Sequence, residues 1–289
     1  MHHILKIAFR NIRKNKTYTF INIFGLSVGL ACSIIIVLYV INELTYDHFH
    51  PDSDRVFRVV TKQNSATSGV IYRATAPAPL APTLKKELPQ VENAIRIVPP
   101  YENADNVLVL RKNRRFFERR IFFVDPEIFD FFDIPFLRGT PHRALREADT
   151  VLITRRMAEK YFGDEDPVGK RIRMEFDYDI WNAPVKLQSF KITGVIENPR
   201  KNSHLKYNML VSIETLKTNL KSFDSDWTNF HRKITYVKLK KGVDAEMAEK
   251  LLAPYAAEMA RQFEQKYKRK HFGVAYQLQN IRDIHMARQ

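Results

Sequence analysis

The sequence predicts an α+β fold: a single N-terminal transmembrane helix followed by a mixed α+β extracytoplasmic domain of two lobes. Three observations predict it. Residues 18–41, YTFINIFGLSVGLACSIIIVLYVI, run for 24 positions without a charged side chain. Lys6, Arg10, Arg13, Lys14 and Lys16 precede that run with no acid among them, whereas Glu43, Asp47, Asp52 and Asp54 follow it. Beyond it, β-branched or period-two stretches alternate with short helical ones, the pattern of a sheet flanked by helices.

A chain of 289 residues, 45% hydrophobic and 12% aromatic, can bury a substantial core in one or two domains. The single cysteine, Cys32, excludes an internal disulfide. A net charge of +15 admits a nucleic-acid partner, an anionic membrane surface or a basic solvated face.

The apolar run decides the topology. A helix over 18–41 is about 36 Å long, enough to cross a hydrocarbon core of ~30 Å with some tilt. A secretory signal has an apolar stretch of only ~7–15 residues and then a small-residue cleavage site. This run is longer and leads into NELTYD instead. The positive-inside rule keeps the N-terminus cytoplasmic and sends the chain after Asn42 across the membrane. The expected organisation is a cytoplasmic basic segment over 1–17, a transmembrane helix over 18–41 and an exported domain over 42–289. In the first segment Ile4, Leu5, Ala8, Phe9 and Ile12 recur at helical spacing, which fits a short amphipathic helix on the inner leaflet or the start of the span itself. Of the +15, +10 belongs to the exported part. Location then argues against nucleic acid, and a basic face near anionic lipid accounts for the charge.

Two motifs inside the span mislead. Gly25-Leu-Ser-Val-Gly29 matches the G-x-S-x-G of serine hydrolases, but that chemistry needs a strand, a sharp turn and a helix around an exposed serine. Ser27 lies mid-helix in lipid. The same glycines spell G-x-x-x-G, and with Ser33 one turn on they predict a helix-packing face of Gly25, Gly29 and Ser33. Leu30-Ala-Cys32 hints at lipid attachment, yet the apolar run continues well past it.

In the exported part, strands are predicted over 55–61, 94–98, 107–110, 116–124, 151–153, 171–176, 185–196, 209–211 and 235–240. A proline-rich approach at 76–82 leads to a short helix around 84–88 that Pro89 stops. Thr154 is a candidate N-cap for a helix over 155–162, with Gly163 just past its end. Ser212 is the candidate cap of a helix to Leu220. Asp244 caps the longest helix, with Ala248, Leu251, Leu252, Tyr255, Met259 and Phe263 on one stripe and a kink expected at Pro254. Phe129, Phe131, Phe132 and Phe136 read as an aromatic core cluster.

No enzyme signature emerges, and neither a cofactor nor a metal site is expected. Asp47-His48-Phe49-His50 with Asp52 and Asp54 holds metal-ligand residue types without the i,i+4 spacing of a helical metal site, so a polar turn leaving the membrane explains it better. Other histidines are scattered at 142, 204, 231, 271 and 285. Ser203 and His204 are sequence neighbours, which by itself makes no catalytic dyad. YFGDEDPVGKR at 161–171 suggests a phosphate loop, but five residues instead of four separate Gly163 from Gly169, and Lys170 is followed by Arg171. Its three acids would repel phosphate. The expected role is a turn between a helix and a strand.

Taken in order, AFRNIRKNKTYTFINIFGLSVGL (8–30), ELTYDHFHPDSDRVFRV (43–59), FDFFDIPFLRG (129–139), VLITRRMAEKYFGDEDPVGKRI (151–172), ITGVIENPRKNSHLKYNMLVS (192–212) and IRDIHM (281–286) resemble the MacB/FtsX-type permease subunits of ABC transporters. The resemblance implies a first helix in the bacterial inner membrane, a MacB-like periplasmic core domain of two α+β lobes, here the exported domain over 42–289, and three further helices. It also implies a homodimer or a sister permease, a cytoplasmic ABC ATPase that does the hydrolysis, and a periplasmic adaptor or cargo. Cargo classes in the family include lipoproteins, peptides and macrolide-like drugs, and some members control cell-wall hydrolases. The sequence ends at Gln289, about where a second membrane helix is expected. The expectation is therefore a permease subunit or its N-terminal portion, with a single-pass anchored binding module as the alternative.

Overall fold

The structure is a computed structural model that describes residues 10, 13–65, 69–100, 107–112, 114–176, 186–268 and 272–286. The amphipathic pattern at Ile4–Ile12 and the histidine at 271 lie outside them. The chain divides into two compact units, 1–46 and 47–289.

The long element of the first unit is a helix, α1 (Lys16–Leu44). Its 29 residues extend about 43 Å. None of its residues is buried, and Leu26, Ile35 and Leu38 are all more than half exposed. Such an all-round apolar surface in a helix long enough to cross a membrane is suited to hydrocarbon rather than water. Ser33 Oγ donates to the Gly29 carbonyl at 2.9 Å, which satisfies the hydroxyl within the helix.

The second unit is a single mixed sheet with helices on it. Its strands are β1 (Val56–Ser65), β2 (Gly69–Arg73), β3 (Val91–Val98), β4 (Val107–Arg111), β5 (Arg114–Glu118), β6 (Ile121–Val124), β7 (Phe136–Gly139), β8 (Thr150–Thr154), β9 (Arg171–Phe176), β10 (Lys186–Ile196), β11 (Met209–Ser212), β12 (Ile234–Leu239) and β13 (Gly273–Asn280). Among the described residues they run in the order β13-β1-β12-β3-β6-β11-β8-β10-β9-β4-β5, with β2 beside β1 and β7 beside β10. β10 with β8 and β11 with β6 are parallel; the other pairs are antiparallel. The helices are α2 (Leu80–Glu87), α3 (Arg155–Phe162), α4 (Glu214–Asn219), α5 (Ala245–Lys250) and α6 (Ala253–Tyr267).

Strand alternation splits the core into three parts. On one face α3 and α4 cover Val109, Ile121, Val151 and Val211, while α2, α5 and α6 cover Phe57, Val59, Ala94 and Val237. The opposite face carries a shared layer of Val56, Ile95, Ile97, Leu152, Leu210 and Tyr236, capped by Ile128, Phe131 and Phe132. What the sequence reads as two lobes is thus one sheet with two helix-covered ends. Their strands are joined where β3 pairs with β6 at Ile97↔Val124 and Val98↔Phe123. Phe131 and Phe132 are buried there, as the aromatic cluster predicts.

Several local expectations are refined. Residues 116–124 form two strands because the chain turns at Arg120, which has φ 60°. Thr154 stands at the N-cap position in extended conformation, but its hydroxyl bonds nothing and stays buried. Ser212 Oγ accepts from Glu214 N at 3.3 Å while Ile213 occupies the cap position. Asp244 does cap α5 by accepting from Met247 N at 2.8 Å. The long helix it was expected to begin is two, since Pro254 opens α6 in the first turn rather than kinking a continuous helix.

The 161–171 stretch is a turn. Gly163 (φ 60°) closes α3, and Gly169 (φ 83°) donates to the Ile192 carbonyl at 2.8 Å as the chain enters β9. Lys170 N donates to Pro167, and Lys170 Nζ pairs with Glu165. The Gly169 and Lys170 amides and the lysine ammonium, which would hold a phosphate, are engaged by the protein itself.

Gly194 marks a bulge in β10 where β7 crosses closely. A Cβ there would lie 2.7 Å from the Arg138 carbonyl oxygen and 2.9 Å from Leu152 Cδ2. Gly194→Val is expected to destabilise the domain by about 2–3 kcal/mol, because a backbone oxygen cannot rotate away. A denaturation midpoint within 1 °C of the parent would disprove this.

Lys233 is buried, its ammonium hydrogen-bonded to Asn229 Oδ1 at 2.7 Å and to the His231 carbonyl at 3.3 Å. Burial pushes it down to about 7, with Asp226 opposing and Arg232 adding to the shift. The unfolded chain therefore holds more protons than the folded one between about pH 7 and 10.5. Stability is expected to rise with pH across that window. Lys233→Met should flatten the rise and stabilise the domain at pH 7 by about 1–3 kcal/mol; urea titrations at pH 7 and pH 9.5 measure both.

Candidate functional site at the start of the sheet domain

The sheet domain begins on a buried carboxylate. Asp47 follows the first unit directly, adopts φ 58°, which Asp tolerates better than most residues, and is fully buried. Its Oδ1 accepts from Ser203 Oγ at 2.9 Å and His50 Nε2 at 3.2 Å. Its Oδ2 accepts from His204 Nδ1 at 2.8 Å and from His204 N at 3.0 Å. The Asp47 amide donates to the Asn202 carbonyl at 2.9 Å.

Both imidazoles have a second partner, which selects their tautomers. His50 Nδ1 accepts from Asp133 N at 3.0 Å, so Nε2 carries the proton directed at Asp47. His204 Nδ1 donates to Asp47, leaving Nε2 to accept from Tyr236 Oη at 2.8 Å. Phe132 stands edge-on to His50 and Tyr236, with centroids at 5.1 and 5.3 Å. Burial alone would raise the Asp47 carboxyl, but the bonds from His204, His50 and Ser203 hold it well below the usual carboxylate range. The network gathers the start of the domain, the 131–133 segment, the 202–204 loop and β12 around one charge.

The next turn is fastened separately. Asp52 pairs with Lys238 at 2.7 Å and Arg55 at 2.9 Å, and these two cations hold it at about 2. Ser53 Oγ accepts from Arg282 Nε at 2.9 Å. The five residues considered as metal ligands are thereby sorted apart. Asp47 and His50 point inward, Asp52 faces cations, and His48 and Asp54 are exposed. Among the described residues no group of three His, Cys, Asp or Glu side chains is placed to hold a metal ion.

Asp47, Ser203 and His204 are the residue types of a catalytic triad, but the bonds run in the wrong order. The serine hydroxyl donates to the carboxylate rather than to imidazole, and the far imidazole nitrogen is taken by a tyrosine. Ser203 is buried, so no substrate reaches it. The arrangement is suited to holding segments together. Sequence reasoning set Ser203 and His204 aside and placed Asp47 in a polar turn. The signal was the pair of phrases YDHFH and NSHL, whose partnership spans 157 positions and has no local signature.

The family model for the MacB-like periplasmic core domain matches residues 19–255. The chain belongs to that family. It carries a MacB-like periplasmic core domain of mixed α+β fold after an apolar N-terminal helix, as in inner-membrane proteins of that family. No curated protein matches it. Among solved structures it is similar to a domain of a protein described as a permease from Porphyromonas gingivalis, at 24% identity and a TM-score of 0.63, over 80% of this chain and 91% of that one. It is also similar to the periplasmic region of MacB from Actinobacillus actinomycetemcomitans (14% identity, TM-score 0.48, 81% and 92% covered). A third is the extracellular domain of the noncanonic ABC-type transporter YknZ from Gram-positive bacteria (18%, 0.46, 78% and 100%). The first of these supports the fold of this MacB-like domain.

Proposed function

We infer that this MacB-like chain is the permease subunit, or the N-terminal portion of one, that carries ATPase-driven motion across the inner membrane to its periplasmic domain. The work done there is efflux or release of a lipoprotein, peptide or drug-like cargo. The family match carries the reading, because it runs from the apolar helix through most of the sheet domain. In this scheme 1–17 lies in the cytoplasm, 18–41 spans the bilayer and 42–289 is periplasmic, as the flanking charges favour. ATP hydrolysis belongs to a cytoplasmic ABC ATPase, and the subunit works as a homodimer or beside a sister permease, in contact with lipid and with a periplasmic adaptor or cargo. Gly25, Gly29 and Ser33 supply the helix-packing face, since small residues one turn apart let a neighbouring helix approach closely.

Two measurements test this. A periplasm-dependent reporter fused after Asn42 should be active, and a cytoplasm-dependent one silent; the reverse pattern defeats the orientation. An ABC ATPase encoded beside this gene should co-purify with the full-length protein in nanodiscs and hydrolyse ATP faster in its presence. An ATPase that neither binds nor responds defeats the coupling.

A further inference from the structure

A cleft of about 1070 Å³ opens at the β1–β2–β13 end of the sheet domain. On its wall stands Arg58 of β1, which is only 6% exposed. Its Nη2 donates to Gln279 Oε1 at 2.6 Å, the residue directly opposite on β13. Its Nε is buried without an acceptor, and among the described residues no carboxylate pairs with it. A guanidinium in this position is anomalous in this domain. Arg96, the comparably buried arginine, is neutralised by two aspartates. An uncompensated buried cation is among the costliest features a fold can retain.

The rest of the lining is amphipathic. Val60, Val70, Tyr72 and Ile234, on the same sheet face as Arg58, give it an apolar side. Arg73 and Arg232 add positive charge, and Glu249 and Asp283 negative charge. Glu249 is already committed, accepting from Leu278 N at 2.8 Å. Net charge therefore does little to choose a ligand here; the unpaired face of Arg58 does.

We propose that this cleft is a binding site for an amphipathic organic anion, whose carboxylate or phosphate group pairs with Arg58 while its apolar body packs on Val60, Val70, Tyr72 and Ile234. The geometry suits an oxyanion because a guanidinium offers parallel N–H donors that a carboxylate or phosphate accepts together. The inference stands on the cleft alone and is independent of whether the membrane helix couples to an ATPase.

The test uses the full-length protein in zwitterionic nanodiscs, titrated calorimetrically with three probes that share a phenylalkyl body, against empty nanodiscs. The probes are 4-phenylbutyrate, 2-phenylethyl phosphate and the neutral 4-phenylbutanamide. At least one anion should bind roughly 10- to 100-fold more tightly than the amide, and Arg58→Gln should abolish that advantage. Preference for the carboxylate identifies a peptide-like or fatty-acid-like head; preference for the phosphate identifies a phosphate ester. Gln279→Glu guards against a misfolded Arg58 variant. It places a carboxylate of the chain's own on Arg58, so it should raise the melting temperature and compete away anion binding. Equal binding of all three probes, binding of none, or anion binding undiminished in Gln279→Glu would overturn the proposal.

Discussion

Asp125→Ala is expected to destabilise the sheet domain by about 3–5 kcal/mol, the cost of taking from a buried charge its buried, bidentate partner and leaving only the more exposed Asp224. Arg96 lies on the helix-covered face of β3, between Ala94 of one core cluster and Val98 of another, and is 3% exposed. Its Nε and Nη2 donate to the two oxygens of Asp125 at 2.9 and 2.8 Å, and its own amide adds a bond to Oδ2 at 2.7 Å. Nη1 reaches Asp224 and the Ala78 carbonyl, and the guanidinium stacks on Phe223 at 5.4 Å. Burial works against this charge, but Asp125 and Asp224 outweigh it and hold the guanidinium above its ordinary range. The pair also sits where the sheet is thinnest, beside the two residue pairs that join β3 to β6. In a domain of this size the loss corresponds to roughly 10 °C in melting temperature. The double variant Arg96→Met/Asp125→Leu should recover most of it, because removing both charges also removes the desolvation cost. A shift below about 1 kcal/mol for Asp125→Ala would show that the pair does not hold the two ends together.

The comparison with the sequence follows the range over which each feature is encoded. The helix over 18–41 is legible because absence of charge is a property of the run itself. RIRMEF is legible as β9 because Ile172, Met174 and Phe176 alternate inward with charged neighbours. β13 was missed: GVAYQLQN buries only Tyr276 fully and shows no clean period, since it is an edge strand defined by the partner it finds in β1. β2 and β7 are short edge pieces with the same difficulty. The candidate site was the least legible part. Asp47 lies 156 positions from Ser203, and Arg96 lies 128 from Asp224. A charged residue reads as solvated until the fold brings its partner, so burial of Asp47, Arg58 and Arg96 could only be read from the structure.

Asp47→Asn is expected to cost about 3 kcal/mol, although it preserves shape and suits a residue at positive φ. The carboxylate accepts from Ser203, His50 and both donors of His204. An amide replaces one of those oxygens by a donor, so at least one buried N–H or O–H is left facing another. Asp47→Ala should cost more, since it orphans all the donors and strains the backbone at φ 58°. The pH dependence separates charge from packing. The folded carboxyl is held below its unfolded value of 3.8, so the folded state binds fewer protons as pH falls through that value. The contribution of Asp47 is therefore complete at neutral pH and is lost as the solution is acidified below about pH 4. The parent protein should lose stability steeply there, and Asp47→Asn should show a shallower decline because its share is already gone. Parallel acid-denaturation curves for the two proteins would refute the charged network. If hydrogen exchange in Asp47→Asn quickens at 131–133 and 202–204 while β9 and β10 stay protected, the network is acting as a local fastener at the point where the chain enters the sheet.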